Sequence, residues 1–230
     1  MDHLLTPPSQ GYFVGVEGNI GTGKTSLVAA LSAYWPTRRN RPCKLLSEPV
    51  DQPAFRRLLK LYYEDPKRWG LTFQMYVLKE RFRQHTLASE LVSHGTDVVQ
   101  DRTIYADGIF GDLVRSDGNM TDDEWSIYAD TFGNMKRFLR YPDVILYLRT
   151  TPETCHKRMQ RRARSEESGV PLDYLKRLHT NHERAVEALA GFTRVVVLDW
   201  EEFLPVEVVV EAVEKVMQEK RLYMRDFNSL

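Results

Sequence analysis

The chain has 230 residues with 32 basic and 32 acidic side chains, enough for one α/β domain and too evenly charged to draw in nucleic acid or a membrane through a global field. Its two cysteines, Cys43 and Cys155, lie in unrelated segments without metal-ligand spacing, so two free thiols of an intracellular chain are expected. No apolar run approaches the roughly 20 residues of a membrane helix, and Met1-Asp2-His3-Leu4-Leu5-Thr6-Pro7-Pro8 lacks the cationic lead and apolar core of a leader, which makes a cytoplasmic location the expectation.

After an N-terminal extension at 1–10, an apolar run at 12–16 predicts a buried strand. It leads into Gly18-Asn19-Ile20-Gly21-Thr22-Gly23-Lys24-Thr25, a complete G-x-x-x-x-G-K-[ST] loop, and then into a helical stretch from Ser26. Strand, glycine loop and helix together aim backbone N–H groups and a helix N-terminus at one anion. Lys24 would reach the β- and γ-phosphates of a nucleotide, and the Thr25 hydroxyl would take a Mg²⁺ position. Arg38-Arg39-Asn40-Arg41-Pro42 has no apolar partner and reads as a solvated loop. Lys44–Leu46 predicts a second strand, and Glu48-Pro49 follows it directly. Apolar spacing over 69–92 predicts one long amphipathic helix.

Residues 97–100 predict a third strand, delivering Asp101-Arg102 at its end. Thr121 and Glu124 have the spacing of a capping box that opens another helix. Strands are predicted at 144–148 and 195–198, and Pro205 opens a last helix ahead of a tail at 221–230. Strands separated by helix-length intervals predict a parallel sheet covered on both faces. No repeat or domain boundary interrupts 1–230, so a single domain is expected.

In such a sheet, ligands sit beyond the carboxyl ends of the strands. Glu48 would stand there as a base for a hydroxyl nucleophile, with a solvent-facing loop carboxylate as the alternative. Asp101 would orient Mg²⁺ and Arg102 would neutralise charge on a moving phosphoryl group, unless the two form a strand-end ion pair. Arg158, Arg161, Arg162 and Arg164 gather four cations in seven residues, which suits an anion; a solvated basic helix end is the other reading. The polar run Ser165 to Gly169 makes 158–170 a candidate lid that would exclude water.

Taken with Phe73-Gln74-Met75-Tyr76, Asp101-Arg102-Thr103-Ile104-Tyr105 and Arg158 through Tyr174, these stretches resemble the deoxyribonucleoside kinase family over about residues 12–203. The resemblance implies a P-loop kinase fold with a five-stranded parallel sheet, flanking helices and an arginine-rich lid. It implies ATP with Mg²⁺ as phosphate donor and the 5′-hydroxyl of a deoxyribonucleoside as acceptor, in nucleotide salvage. Glu48 matches the family's general base and Arg102 its partner at the phosphoryl group. Gln74 matches the residue on the nucleobase edge and Phe110 the aromatic that stacks on the base. Tyr63 and Glu167 match the pair on the 3′-hydroxyl, and Arg158, Arg162 and Arg164 match the lid arginines. Relatives are homodimers, with 69–92 and 121–140 as interface candidates by analogy, and they suggest feedback inhibition by a deoxynucleoside triphosphate.

Arg81 lies two helical turns beyond Gln74, so both can enter one pocket, and Asp107 follows Arg102 by five. In purine- and cytosine-directed relatives an Arg–Asp pair at these positions contacts the base. The implied preference is deoxyadenosine or deoxyguanosine, then deoxycytidine, with thymidine last; an exposed ion pair is the competing reading of Arg81 and Asp107. Two rivals share the loop. A nucleoside monophosphate kinase of the thymidylate kinase type would need cations near Glu48, where Asp51 brings another carboxylate. A P-loop regulatory module without enzymatic activity has no use for Glu48 beside Gln74.

Overall fold

The computed structural model describes residues 10–162 and 169–218. Five strands form one parallel sheet: β1 (Phe13–Gly18), β2 (Cys43–Leu46), β3 (Asp97–Asp101), β4 (Val144–Arg149) and β5 (Arg194–Asp199), in the spatial order β2-β3-β1-β4-β5. Each predicted strand is present within a residue or two of its expected ends. All six residues of β1 and all five of β3 are buried, as befits strands covered on both faces.

Alternation along β1 sends its side chains to two different layers. Val14 and Val16 pack with α1 (Lys24–Arg39) and α8 (Val206–Gln218) through Leu27, Val28, Leu31, Val209, Val210 and Val213. Phe13 packs on the opposite face against Ala88 and Val92 of α3 (Pro66–Ser93). That second layer also holds a 3₁₀ turn (Ile104–Ala106), α4 (Asp107–Ser116), α5 (Asp122–Arg137) and α7 (Leu172–Leu189). α6 (Pro152–Arg162) leads off β4 beside the glycine loop.

The long helix begins three residues earlier than its apolar spacing predicts, because Pro66 fits the first turn and the Asp65 carboxylate accepts the Arg68 N–H at 3.1 Å. The capping box on α5 is present in both directions. One expectation fails. Arg38 and Arg39 are not in a loop but form the last turn of α1, which ends at Asn40 with φ 51°. Arg39 finds partners the apolar criterion overlooks: Asp97 at 2.8 Å and the face of Tyr12 at 4.0 Å. α2 (Pro53–Glu64), not predicted at all, packs along α3 and supplies a wall of the site. Among the described residues, no helix is long and apolar enough to cross a membrane.

Candidate active site

The carboxyl ends of β1, β2 and β3 open onto a cavity of about 730 Å³. Its floor is the glycine loop. Gly21 and Gly23 have φ of +82° and +95°, a region side-chain-bearing residues avoid. Space forbids them too: a Cβ on Gly21 would stand 2.4 Å from the Cys155 carbonyl oxygen. The Lys24 ammonium donates to the carbonyls of Asn19 (2.6 Å) and Gly18 (3.0 Å) and to Thr22 Oγ1 (3.3 Å). Burial, then the nearby Arg102 charge, lowers its pKa to about 8. Asn19 anchors the loop to α7 by donating Nδ2–H to Leu175 O at 2.8 Å.

Thr25 donates its hydroxyl to Asp101 Oδ2 at 2.9 Å, while Asp101 Oδ1 is buried without a partner among the described residues. Burial pushes the Asp101 carboxyl up, and the charge of Glu48 adds to that. An orphaned carboxylate oxygen beside a hydroxyl is a hard donor set that fits a divalent cation. No cluster of three or more acidic, His or Cys side chains among the described residues could hold an ion alone. Such an ion would complete its shell with phosphate oxygens and water.

Glu48 reaches the cavity from the loop after β2, which Gln84 pins by donating to Ser47 O at 2.6 Å. Its Oε1 accepts from Arg81 Nη2 (2.8 Å) and Arg102 Nε (3.2 Å); neither contact uses Oε2. Burial works to raise its pKa, but the charges of Arg102 and Arg81 prevail and hold it below the usual carboxylate range. Glu48 therefore faces the cavity ionised. Arg102 also donates Nη1–H toward His182 Nε2 at 3.4 Å, since His182 Nδ1–H is committed to Leu178 O at 2.8 Å. Burial and the Arg102 charge keep His182 neutral, far below its ordinary pKa. The Phe110 ring lies within 4.8 Å of the Arg102 guanidinium carbon and 5.2 Å of that of Arg81.

Arg81 and Asp107 are not an exposed pair. They are 4% and 0% exposed and bond at 2.8 Å through Nη1 and Oδ1. Asp107 is not among the residues lining the cavity and stands directly behind Gln74, which does line it. Its Oδ2 accepts from Gln74 Nε2 (2.9 Å) and from Tyr128 Oη (2.7 Å), and its backbone oxygen stands 3.3 Å from the same Gln74 nitrogen. Both neighbours of that nitrogen are acceptors, which fixes the amide orientation. Gln74 is left with Oε1 as the atom it can offer a ligand. Burial pushes the Asp107 carboxyl up against the opposing charge of Arg81.

Tyr63, on α2, lines the cavity with Tyr62, Phe55 and Phe73. Arg162 lines it too, whereas Arg164 and Glu167 lie outside the described residues, as does the middle of the expected lid, 163–168. Arg158 departs from its expected task on phosphates. Its guanidinium bonds the carbonyls of Thr22, Trp200 and Glu201 and stacks 4.3 Å from the Phe203 ring. Phe203, 62% exposed, borders Gly23 and escaped the sequence reading along with Tyr128 and His182. An exposed aromatic beside a phosphate loop is a flat surface suited to the base of a donor nucleotide.

A family model described as "Deoxynucleoside kinase" matches residues 14–223. The Dictyostelium discoideum deoxyadenosine kinase is 29% identical over 221 residues, covering 95% of this chain and 84% of that protein. The mitochondrial deoxyguanosine kinase of Xenopus laevis is 36% identical over 189 residues, covering 74% and 71%. Among solved structures, a deoxyadenosine kinase from M. mycoides with bound dCTP superposes with a TM-score of 0.71 at 24% identity, covering 88% of this chain and 98% of that one. At that identity the likeness speaks for the fold alone.

Proposed function

Because this chain belongs to the deoxynucleoside kinase family, we propose that it transfers the γ-phosphoryl group of ATP to the 5′-hydroxyl of a deoxyribonucleoside whose base carries an amino group at the purine 6- or pyrimidine 4-position. Deoxyadenosine is its first substrate and deoxycytidine its second. The observation that carries the reading is Glu48: an ionised carboxylate facing the same cavity as Lys24, with Oε1 tied to two arginines and Oε2 outside those bonds.

The 5′-hydroxyl hydrogen-bonds Glu48, which accepts its proton as the O–P bond forms. A carboxylate held below the usual range is a weak base, so it takes the proton late, once the alcohol oxygen has begun to bond to phosphorus. That suits a loose transition state. Arg102 stabilises the equatorial oxygens, and the loop N–H groups with Lys24 hold the donor phosphates. Thr25 and Asp101 would hold Mg²⁺, which would supply charge neutralisation to the donor phosphates. Tyr63, with Glu167, is assigned the sugar 3′-hydroxyl; Phe110 is assigned the face of the base; Arg162 and Arg164 are assigned the phosphates.

The base preference rests on the locked Gln74 amide. With both Nε2 hydrogens directed to Asp107, the side chain offers Oε1, an acceptor that pairs with the amino group of adenine or cytosine. An oxo group there, as in guanine or thymine, sets two acceptors together, and a buried unpaired polar group costs about 1–3 kcal/mol, roughly a 5- to 150-fold preference. One cavity lined by both Lys24 and Gln74 also supports a deoxynucleoside triphosphate binding across both halves as an end-product inhibitor. The half-exposed Ile127 on α5 supports that helix as a homodimer face.

The test is phosphoryl transfer from ATP with the four deoxynucleosides and their four 5′-monophosphates as competing acceptors. Deoxyadenosine and deoxycytidine should lead, with no monophosphate phosphorylated. A lead for deoxyguanosine or thymidine removes the base assignment; turnover of a monophosphate removes the acceptor assignment.

A further inference from the structure

Arg102 has φ +60°, and it shares positive φ with only one other non-glycine residue among those described, the helix cap Asn40. A left-handed conformation is unfavourable for a side-chain-bearing residue, so its surroundings must enforce it. Here the enforcement is visible. The Arg102 N–H donates to Val16 O at 3.1 Å and its carbonyl accepts Gln100 Nε2–H at 3.0 Å. The next residue, Thr103, is held harder: Glu17 Oε1 accepts both its N–H and its Oγ1–H at 2.8 Å.

Glu17 is a carboxylate in a strand buried along its whole length, 2% exposed, and it does not line the cavity. Two residues earlier on the same face, Gly15 leaves room for Thr103; a Cβ there would stand 2.4 Å from the Thr103 methyl. Gly15 and Glu17 thus form a socket on the central strand, with the methyl over one and both donors on the other. The socket fixes the far side of the Arg102 turn, and the turn sends the guanidinium back to Glu48, His182 and the Phe110 ring. No substrate contact is available to Glu17.

We infer that Glu17 is a positioning residue for phosphoryl transfer: its carboxylate holds Thr103, and through that hold keeps Arg102 in the left-handed conformation that aims its guanidinium at the reacting group. The inference rests on the role proposed for Arg102. Loss of the socket lets the backbone at 102 relax, and the charge moves while the loop, Gln74 and Glu48 stay in place. A misplacement of about 1 Å in a positioned group is worth up to about 100-fold in rate.

The experiment is a kinetic cycle of Glu17→Ala, Arg102→Ala and the double variant, with Glu17→Gln and Thr103→Ala beside them and circular dichroism melts on all five. Glu17→Ala should lower kcat by about 10- to 100-fold, with KM for both substrates within about threefold. In the Arg102→Ala background the same change should cost almost nothing further, which a merely structural role would not produce. Glu17→Gln keeps an acceptor for Thr103 and should restore kcat to within about fivefold. Thr103→Ala, which removes one of the two bonds and keeps the fold if Glu17→Ala does not, should show a smaller loss confined to kcat. Equal losses from Glu17→Ala in both backgrounds, a parallel rise in KM, or no recovery in Glu17→Gln each overturn the inference. An Arg102→Ala enzyme with undiminished kcat instead overturns the role of Arg102 and leaves the socket geometry standing.

Discussion

Replacing Arg81 by Met tests the buried network that shapes the site. Asp107 is 0% exposed, and Arg81 supplies its Oδ1 with an ion pair at 2.8 Å. Removing one partner of a buried pair leaves an uncompensated charge and costs about 3–5 kcal/mol, whereas replacing both with apolar groups is often near neutral. For a domain of this size about 1 kcal/mol corresponds to roughly 2–4 °C in Tm. Arg81→Met should therefore melt about 6–20 °C below the parent, and Arg81→Met with Asp107→Ala should regain most of that loss. The sign with pH is fixed. Without Arg81, the folded Asp107 pKa rises further, the folded state binds more protons than the unfolded, and stability rises as pH falls. The melting gap should narrow from pH 8 to pH 5. The double variant also unlocks Gln74, so thymidine and deoxyguanosine should gain relative to deoxyadenosine. Differential scanning fluorimetry across pH reads the first effect and a four-substrate competition the second. A double variant whose loss equals the sum of the two single losses, at every pH, refutes the reasoning.

Three further outcomes follow from the charges at the cavity mouth. Glu48→Gln should lower kcat by about 10²- to 10⁴-fold, the usual contribution of a positioned base, with the deoxynucleoside KM nearly unchanged; a parallel rise in KM in steady-state assays would count against that role. Lys24, lowered to about 8 by burial and Arg102, is cationic below that pH and neutral above it. The pH profile of kcat/KM for ATP should bend downward near pH 8 with a slope of one proton, and a profile flat to pH 9.5 would refute it. On the acid side Glu48 sits below its ordinary range, so activity should persist to about pH 5 before its protonation matters.

The glycine loop and the five strands were legible because their signals are local: a fixed spacing, and short apolar or β-branched runs that end within two residues of the observed strands. α2 was not. Its only fully buried residue is Leu58, and its aromatics Phe55, Tyr62 and Tyr63 line a cavity instead of a core. Its signal was nonetheless present, since Phe55, Leu58, Leu59 and Tyr62 recur at helical spacing behind Pro53, but it spans only about three turns. Asp107 was found by its place in the chain, but its enclosure was not, since nothing in the spacing says that Gln74 and Tyr128 bond it. Arg158 was grouped with its neighbours by charge, although three backbone carbonyls and Phe203 claim it. Glu17 did carry a signal: an acid inside an otherwise buried apolar strand must find donors, and the donors it finds belong to Thr103.

The same contacts explain why the acceptor is an alcohol and not a phosphate. Lys24, Arg81 and Arg102 are the buried cations at the reacting end of the cavity; Glu48 and Asp101 line it beside them, Glu17 and Asp107 lie behind, and Arg56 and Arg162 line other parts of the wall. Arg81 is divided between Glu48 and Asp107, and Arg102 is held by Glu48; neither has a charge to lend a second dianion. A monophosphate beside Glu48 would add about two negative charges to a cluster in which anions already match or outnumber cations, at an energetic cost that grows with burial. A neutral sugar adds none. The donor brings its own counter-ion, and Asp101, with one buried oxygen lacking a partner, is the carboxylate that such an ion would satisfy. The burial pattern thus selects the pair of substrates together: one uncharged and hydrogen-bonding, the other anionic and arriving with its metal.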